Sequence, residues 1–455
     1  MKPTRAAGLL ACLLLAGCGS SPRDDADPVA QDVAHRTGLA VTWRRDSDAD
    51  RAADAAVAGL LAQPLTADTA VQVALLDDPR LQARFAALGI AQADLVAAGL
   101  LKNPVFEGQL NLFGHGPAVE VSFLEDVLSV FSRGARKRLA AAEADAVAAE
   151  TTAAVIDTAA RVRAAAWTVE AAQQTLAVQR DILAAAIAAD ELSARIHAAG
   201  NSPALDRLRQ QAMTAQARLD CAAAEETLAA ARADLTARLG LWGPQAEWTS
   251  AETLAAAPAA PSADELPAPD AERQAVTQSL ALAAARARIA AAAERLDLQR
   301  TWLDAALGVD AQRDAGDHEW GVGPKVAVTV PLADRGQGGR GAARDALAQS
   351  IDDYRARAIR LRARTRLAAD HLRAARERAL YLATVVIPLR QAITAEVQTN
   401  VNNMLDSAFA LLAARADEMA AERDQVAALR DYWLARDTLK TLLAGAGQPD
   451  AEVQP

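Results

Sequence analysis

The chain reads as a mainly α-helical protein with a small β part, built as one unit written twice. Three observations predict this class. Of its 455 residues, 52% are hydrophobic but only 4% aromatic. Most of the apolar content is therefore alanine, the strongest helix former and one that lets helices approach closely. Apolar residues recur at every seventh position through long stretches without proline, the spacing of helices that share a narrow seam. Finally, Gly116-Pro117-Ala118-Val119-Glu120-Val121-Ser122-Phe123 returns as Gly323-Pro324-Lys325-Val326-Ala327-Val328-Thr329-Val330, which marks an internal tandem repeat.

The N-terminus supplies an address. Lys2 and Arg5 flank the start of an apolar stretch at 6–16. It has signal-peptide length and is shorter than the roughly 20 apolar residues of a membrane-spanning helix. It closes on Leu15-Ala16-Gly17-Cys18, which resembles a bacterial lipobox. That resemblance implies a signal peptide at 1–17, removed by cleavage, and lipidation of Cys18. Gly19 stands where an inner-membrane lipoprotein would have Asp, which implies outer-membrane lipid as the anchor's partner. Residues 18–62 then form a lipid-anchored tether. With Cys12 cleaved away and Cys18 acylated, Cys221 is the remaining thiol, so no intrachain disulfide is expected. Its alanine-rich helical setting predicts a small buried apolar side chain.

The repeats are placed at 63–248 and 271–445, with a Pro/Ala-rich linker at 249–270 carrying Pro258, Pro261, Pro267 and Pro269, and a tail at 446–455. Val155, Val162, Val169, Leu176 and Leu183 lie seven apart in the first, and Leu405, Leu412, Met419, Val426 and Trp433 in the second. The helix carrying the first stripe is predicted from about residue 132 to 199, approaching ~100 Å at 1.5 Å per residue. Long antiparallel coiled-coil helices follow. Pro203-Ala204-Leu205-Asp206 is matched with Asn403-Met404-Leu405-Asp406, and the halves close alike at 235–240 and 439–445.

Four short segments alternate with the period of strands. Phe106, Leu110 and Leu112 oppose Glu107, Gln109 and Asn111; Val119, Val121 and Phe123 oppose Glu120 and Ser122. Leu307, Val309 and Ala311 oppose Asp310 and Gln312; Val326, Val328 and Val330 oppose Lys325, Ala327 and Thr329. Each is near the ~9–11 residues of a tilted membrane strand with one apolar face. Turns at 114–116 and 314–318 would join them into hairpins at about 104–124 and 306–332. Four strands fall short of the about eight that close the smallest single-chain barrels. Either the hairpins pack on a helical core, or several chains pool their strands.

Other classes lack material. A net charge of −10 offers no basic face for nucleic acid. His35, His115, His197, His318 and His371 are scattered, without the spacing of a helix-borne zinc pair, and the Gly-rich turn at 336–341 lacks the ending of a phosphate loop. No catalytic group, metal or cofactor is expected. No membrane-spanning helix is expected either, since no later segment offers about 18 uninterrupted apolar residues.

Together these features resemble the TolC-type outer-membrane factor family of efflux channels, in its lipoprotein subtype. Leu65-Thr66 through Asp78-Pro79-Arg80-Leu81 is similar to the family's opening helix, and Gly99-Leu100-Leu101-Lys102-Asn103-Pro104 to its entry into the first strand. Val330-Pro331-Leu332-Ala333-Asp334-Arg335-Gly336-Gln337-Gly338 is similar to the exit from the last strand, in the form commonest among channels of heavy-metal exporters. Ala333 replaces that motif's aromatic. The resemblance implies a homotrimer, with a twelve-stranded outer-membrane β-barrel and a periplasmic α-barrel. It implies passage of substrate, heavy-metal cations being the nearest class, from an inner-membrane pump of the resistance-nodulation-division class through a periplasmic adaptor (membrane-fusion) protein.

The resemblance also implies that the turns farthest from the strands meet the adaptor. These are Ala199, Gly200, Asn201 and Ser202 in one half, and Thr399, Asn400, Val401 and Asn402 in the other. It places Asp406, with Asp206 and Asn403, at the closed tunnel mouth as a gate. On the residues alone, Gly and Asn suit ordinary turns, and Asp206 and Asp406 suit helix N-caps. The rival function is a lipid-tethered periplasmic scaffold whose hairpins never insert. Within the duct reading, drug efflux or type I protein secretion is the alternative.

Overall fold

The computed structural model describes residues 28–44, 48–111, 118–250, 254–259, 267–299, 304–313, 320–329 and 335–447. The signal segment, Cys18, both hairpin turns and the exit segment at 330–334 lie outside the described residues. Two helices, α1 (Pro28–Thr37) and α2 (Asp48–Leu61), precede a first unit. That unit runs α3 (Ala67–Asp77), α4 (Pro79–Ala98), β1 (Val105–Asn111), β2 (Ala118–Asp126), α5 (Val127–Ala198) and α6 (Ala204–Leu239). The same order returns as α7 (Ala268–Gln278), α8 (Leu280–Leu298), β3 (Asp304–Arg313) and β4 (Gly321–Thr329). It continues with α9 (Gln337–Tyr381), a π turn (Leu382–Val386), α10 (Ile387–Asn402) and α11 (Ala408–Leu443).

Local chemistry explains the corners. Thr66 and Thr69 bond reciprocally, each hydroxyl accepting from the other's backbone N–H, the capping-box arrangement that starts α3. Asp78 closes α3 and opens α4, its carboxylate accepting from the Arg80 N–H at 2.9 Å, with Pro79 at the first helical position. Ser279 does the same between α7 and α8, accepting from the Leu282 N–H at 3.2 Å. The closing helices dock on these corners through Gly240 (φ 75°) and Gly445 (φ 96°). A Cβ on Gly445 would lie 2.1 Å from the Gln278 carbonyl oxygen, and one on Gly240 3.2 Å from that of Asp77.

Helix α5 has 72 residues, about 108 Å at 1.5 Å per residue. Its heptad stripe is buried at Val155, Val162, Val169 and Leu176, and Leu183 packs beside Leu176, Cys221 and Ala224. Cys221 is thus the buried small side chain that its alanine-rich setting predicts. In α11, Met419 and Val426 are buried, and the Trp433 ring meets that of Trp167 at 5.6 Å with a tilt of 37°. Leu405 does not belong to this stripe. The helix starts three residues later and Leu405 is 77% exposed, because seven-residue spacing carries no mark of where an N-cap interrupts it.

The four strands form one antiparallel sheet in the order β1-β2-β3-β4. Pairing of β2 with β3, Val121 opposite Ala311 and Phe123 opposite Val309, joins the two hairpins edge to edge. β1 ends at Asn111, and Leu112 lies outside the described residues. The helices pack as a row. Near the strands it runs α4, α5, α8, α9; farther away it runs α6, α5, α11, then α9 and α10.

Candidate functional surfaces

Register puts the strand pattern onto two faces. Phe106, Leu110, Val119, Val121, Phe123, Leu307, Val309, Val322, Val326 and Val328 share one side. Phe106 is 72% exposed, Val322 67% and Val326 62%, and the Phe106 and Phe123 rings meet edge-on at 5.0 Å. The other side carries Glu107, Gln109, Glu120, Ser122, Asp310, Gln312 and Lys325. Lys325 Nζ reaches Ser122 Oγ at 3.2 Å and Glu120 at 3.6 Å. A continuous uncovered apolar face of this extent marks an interaction surface. Among the described residues the outer edges, β1 and β4, have no strand partner.

Both far helix turns end in the same motif. After α5, Gly200 adopts φ 76°, its N–H bonds the His197 carbonyl at 2.9 Å, and the Asn201 N–H bonds that of Ile196 at 3.1 Å. After α10, Met404 adopts φ 61°, its N–H bonds the Val401 carbonyl at 3.0 Å, and the Leu405 N–H bonds that of Asn400 at 2.8 Å. These are Schellman caps. Ala199, Gly200, Asn201 and Ser202 therefore break the first helix as expected. Thr399, Asn400, Val401 and Asn402 do not break the second. They are its last turn, held by Thr399 Oγ1 to the Ala395 carbonyl and by Gln398 Nε2 to Asn402 Oδ1, both at 3.0 Å. The break falls at 403–407. A methionine in the left-handed position gives no sequence signal there, where glycine is the rule.

The caps also correct the pairing of the halves. Gly200 corresponds to Met404 and Ala204 to Ala408, so Asp406 matches Ser202 and not Asp206. Asp206 lies in the first turn of α6 beside Arg209 at 3.4 Å, and the N-cap is Pro203. Asp406 accepts from the Ser407 N–H at 2.8 Å, and Ser407 is the N-cap of α11, accepting from the Ala410 N–H at 3.2 Å. Neither aspartate is an N-cap. Asn403 closes α10, its N–H bonding the Thr399 carbonyl at 3.0 Å. Beside it Met404 is 93% exposed. An L-residue in the left-handed region costs about 1–2 kcal/mol, so Met404→Gly is expected to stabilise the chain by about 1 kcal/mol, read from urea unfolding midpoints.

Between strands and turns the two units are tied by buried charge. Arg163 on α5 donates from Nη1 to Asp437 on α11 at 2.6 Å. Burial pushes the Asp437 carboxyl up although Arg163 pulls it down. Asp157 accepts from the Gly447 N–H at 2.6 Å, and burial again outweighs that bond. Glu170, buried on α5, is pushed up to about 7 by burial. Its folded value thus exceeds its unfolded one. Below about pH 4.5 it is protonated in both states and costs nothing; above about pH 7 the folded chain must hold a buried carboxylate, so stability falls as pH rises through that window. Glu170→Gln is expected to raise the melting temperature at about pH 8.5 and to leave it nearly unchanged at about pH 4.5. Equal shifts at both would contradict this.

Among the described residues no group of three or more His, Cys, Asp or Glu side chains could hold a metal. By length and composition alone, one stretch of the helical run Gln337–Asn402 is apolar enough to cross a membrane, and the α10 part of that run packs against α11.

No protein-family model and no curated protein sequence matches the chain. Solved structures do. The outer membrane protein VceC of Vibrio cholerae matches at 16% identity with a TM-score of 0.68, over 84% of this chain and 97% of VceC. The CmeC outer membrane channel of Campylobacter jejuni matches at 11% identity and 0.69, over 95% of both chains. The open state of the MtrE outer membrane channel of Neisseria gonorrhoeae matches at 16% and 0.64, over 84% of this chain and 91% of MtrE. At such identities the likeness is one of fold.

Proposed function

We propose that this chain, which has the fold of the TolC-type outer-membrane channels, is one protomer of a homotrimeric outer-membrane duct in a tripartite efflux system. The sheet carries this reading. It has a continuous exposed apolar face, an opposite polar face and, among the described residues, two unpaired edges, and it stands on α5, whose 72 residues span about 108 Å. In hydrocarbon every backbone polar group must be bonded internally. A ring in which β4 of one chain pairs with β1 of the next removes every edge. Three chains supply twelve strands, above the about eight of the smallest barrels. The apolar face then meets lipid and the polar face lines the passage.

In this reading the chain conducts passively. An inner-membrane pump of the resistance-nodulation-division class drives transport, and a periplasmic adaptor meets the turns at 199–202 and 399–407. Cys18 carries the lipid anchor. A heat-resistant trimer extracted from outer membranes, conducting ions in planar bilayers, is the expected result. A non-conducting monomer released by Cys18→Ser would instead support the scaffold.

Asp406 is exposed in the turn between α10 and α11, and three copies around one axis would attract cations. Asp406→Ala is expected to raise open-channel conductance and to weaken cation preference. No change in either would leave Asp406 as a turn residue that holds the Ser407 N–H.

A further inference from the structure

Away from the strands, α6 and the α9–α10 run are the two ends of the helix row. Each carries an uncovered stripe at coiled-coil spacing. On α6 it is formed by Leu205, Leu208, Ala212, Ala215, Leu219 and Glu226, all exposed, and it continues in exposed alanine to Ala237. On α9–α10 it is formed by Arg378, Tyr381, Val385, Leu389 and Ala392, again all exposed. Steps of four residues drift around an α-helix. The π turn at Leu382–Val386, with more residues per turn, brings Tyr381, Val385 and Leu389 back towards one line.

The left-handed residues Gly200 and Met404 are equivalent points from which to measure height along both stripes. Ala212 and Ala392 each lie 12 residues away from them, Ala215 and Leu389 15, Leu219 and Val385 19, and Glu226 and Arg378 26. Ala212 thus stands level with Ala392, Ala215 with Leu389 and Leu219 with Val385. Of the residues named in the two stripes, the charged ones are Glu226 and Arg378, and they stand at the same height with opposite sign. Both Glu226 and Arg378 are exposed, and neither has a side-chain partner within its own chain among the described residues. α6 runs away from its turn and α10 towards its own, so adjacent copies present the two stripes antiparallel.

Resting on the ring reading above, we infer that α6 of one copy seats on the α9–α10 run of the next. Glu226 faces the neighbouring copy's Arg378, and this pair sets the axial register of the ring. The seam has the same head-to-tail sense as β4 on β1, second unit against first. Apolar stripes at heptad spacing carry no mark of their own against a slip of one heptad. One opposite-charge pair among apolar residues opposes the slip, because a shifted seam covers two unpartnered charges.

The test uses the full chain carrying Cys221→Ala, with helical circular dichroism verified for each variant. Glu226→Cys combined with Arg378→Cys is expected to give a covalent trimer with a short bifunctional maleimide. Glu226→Cys combined with Arg364→Cys, two heptads away, is expected not to. Glu226→Arg or Arg378→Glu alone should lower the trimer fraction several-fold, and the two together should restore it. A native-mass trimer without the 226–378 crosslink, or one indifferent to single reversal, overturns the register and leaves the duct reading standing. A chain that stays monomeric at every concentration removes both.

Discussion

Replacing Gly308 by valine is expected to abolish outer-membrane insertion and conductance while leaving the helical units folded. A Cβ at this position would lie 1.9 Å from the Phe123 carbonyl oxygen, 2.9 Å from its carbon and 3.1 Å from Leu124 Cα. All three are backbone atoms that no rotamer can move, so β3 must part from β2 along the line that joins the hairpins. Each hairpin alone would be a two-stranded ribbon, marginal by itself. The two largest cores lie among helices and contain no strand residue, so far-ultraviolet dichroism should keep most of its helical signal. Gly323→Val is the control, because a Cβ there meets nothing within 4 Å. The expected readout is loss of heat-resistant trimer from outer-membrane fractions and background conductance for the Gly308 variant alone. A conducting Gly308→Val trimer would show that the β2–β3 joint is dispensable.

Arg163→Ala is expected to cost about 3–5 kcal/mol at neutral pH, the penalty for stripping one partner from a buried ion pair. Arg163 is 16% exposed and Asp437 5%, and burial already holds the Asp437 carboxyl above its ordinary value. Without the guanidinium that value rises further. The folded variant then binds a proton more tightly than the unfolded chain, so its deficit grows as pH rises and shrinks as pH falls and Asp437 becomes neutral. Urea unfolding at about pH 5 and about pH 8 reads this difference, and a pH-independent deficit would contradict it. Adding Asp437→Asn should recover part of the loss, a coupling that a double-mutant cycle measures directly. Because α5 belongs to the first unit and α11 to the second, the pair is one of the ties between them.

How much of this was legible beforehand depends on the distance over which each feature is decided. Burial of Val155, Val162, Val169 and Leu176 follows from their own spacing, since a seven-residue period keeps one side of a helix towards its neighbour. The apolar side of the sheet follows from alternation in Val119–Phe123 and in Val326–Val328. The turn at Gly200 was legible because glycine announces the left-handed residue. Its counterpart was not, because Met404 occupies that position against its own preference and the caps around it are backbone hydrogen bonds. For the same reason Asp206 and Asp406 looked equivalent in sequence, although the structure sets them four residues apart in phase.

By itself, then, the sequence determined the kinds of element, their order, the faces they bury or expose, and the duplication. Each of these rests on residues close together along the chain. Only the tertiary structure decided that the hairpins join across Gly308, that Arg163 meets Asp437, and that α6 and α9–α10 are the two ends of the row. Those outcomes turn on backbone approaches of a few ångströms between residues far apart in sequence, and a local period carries no information about such distances.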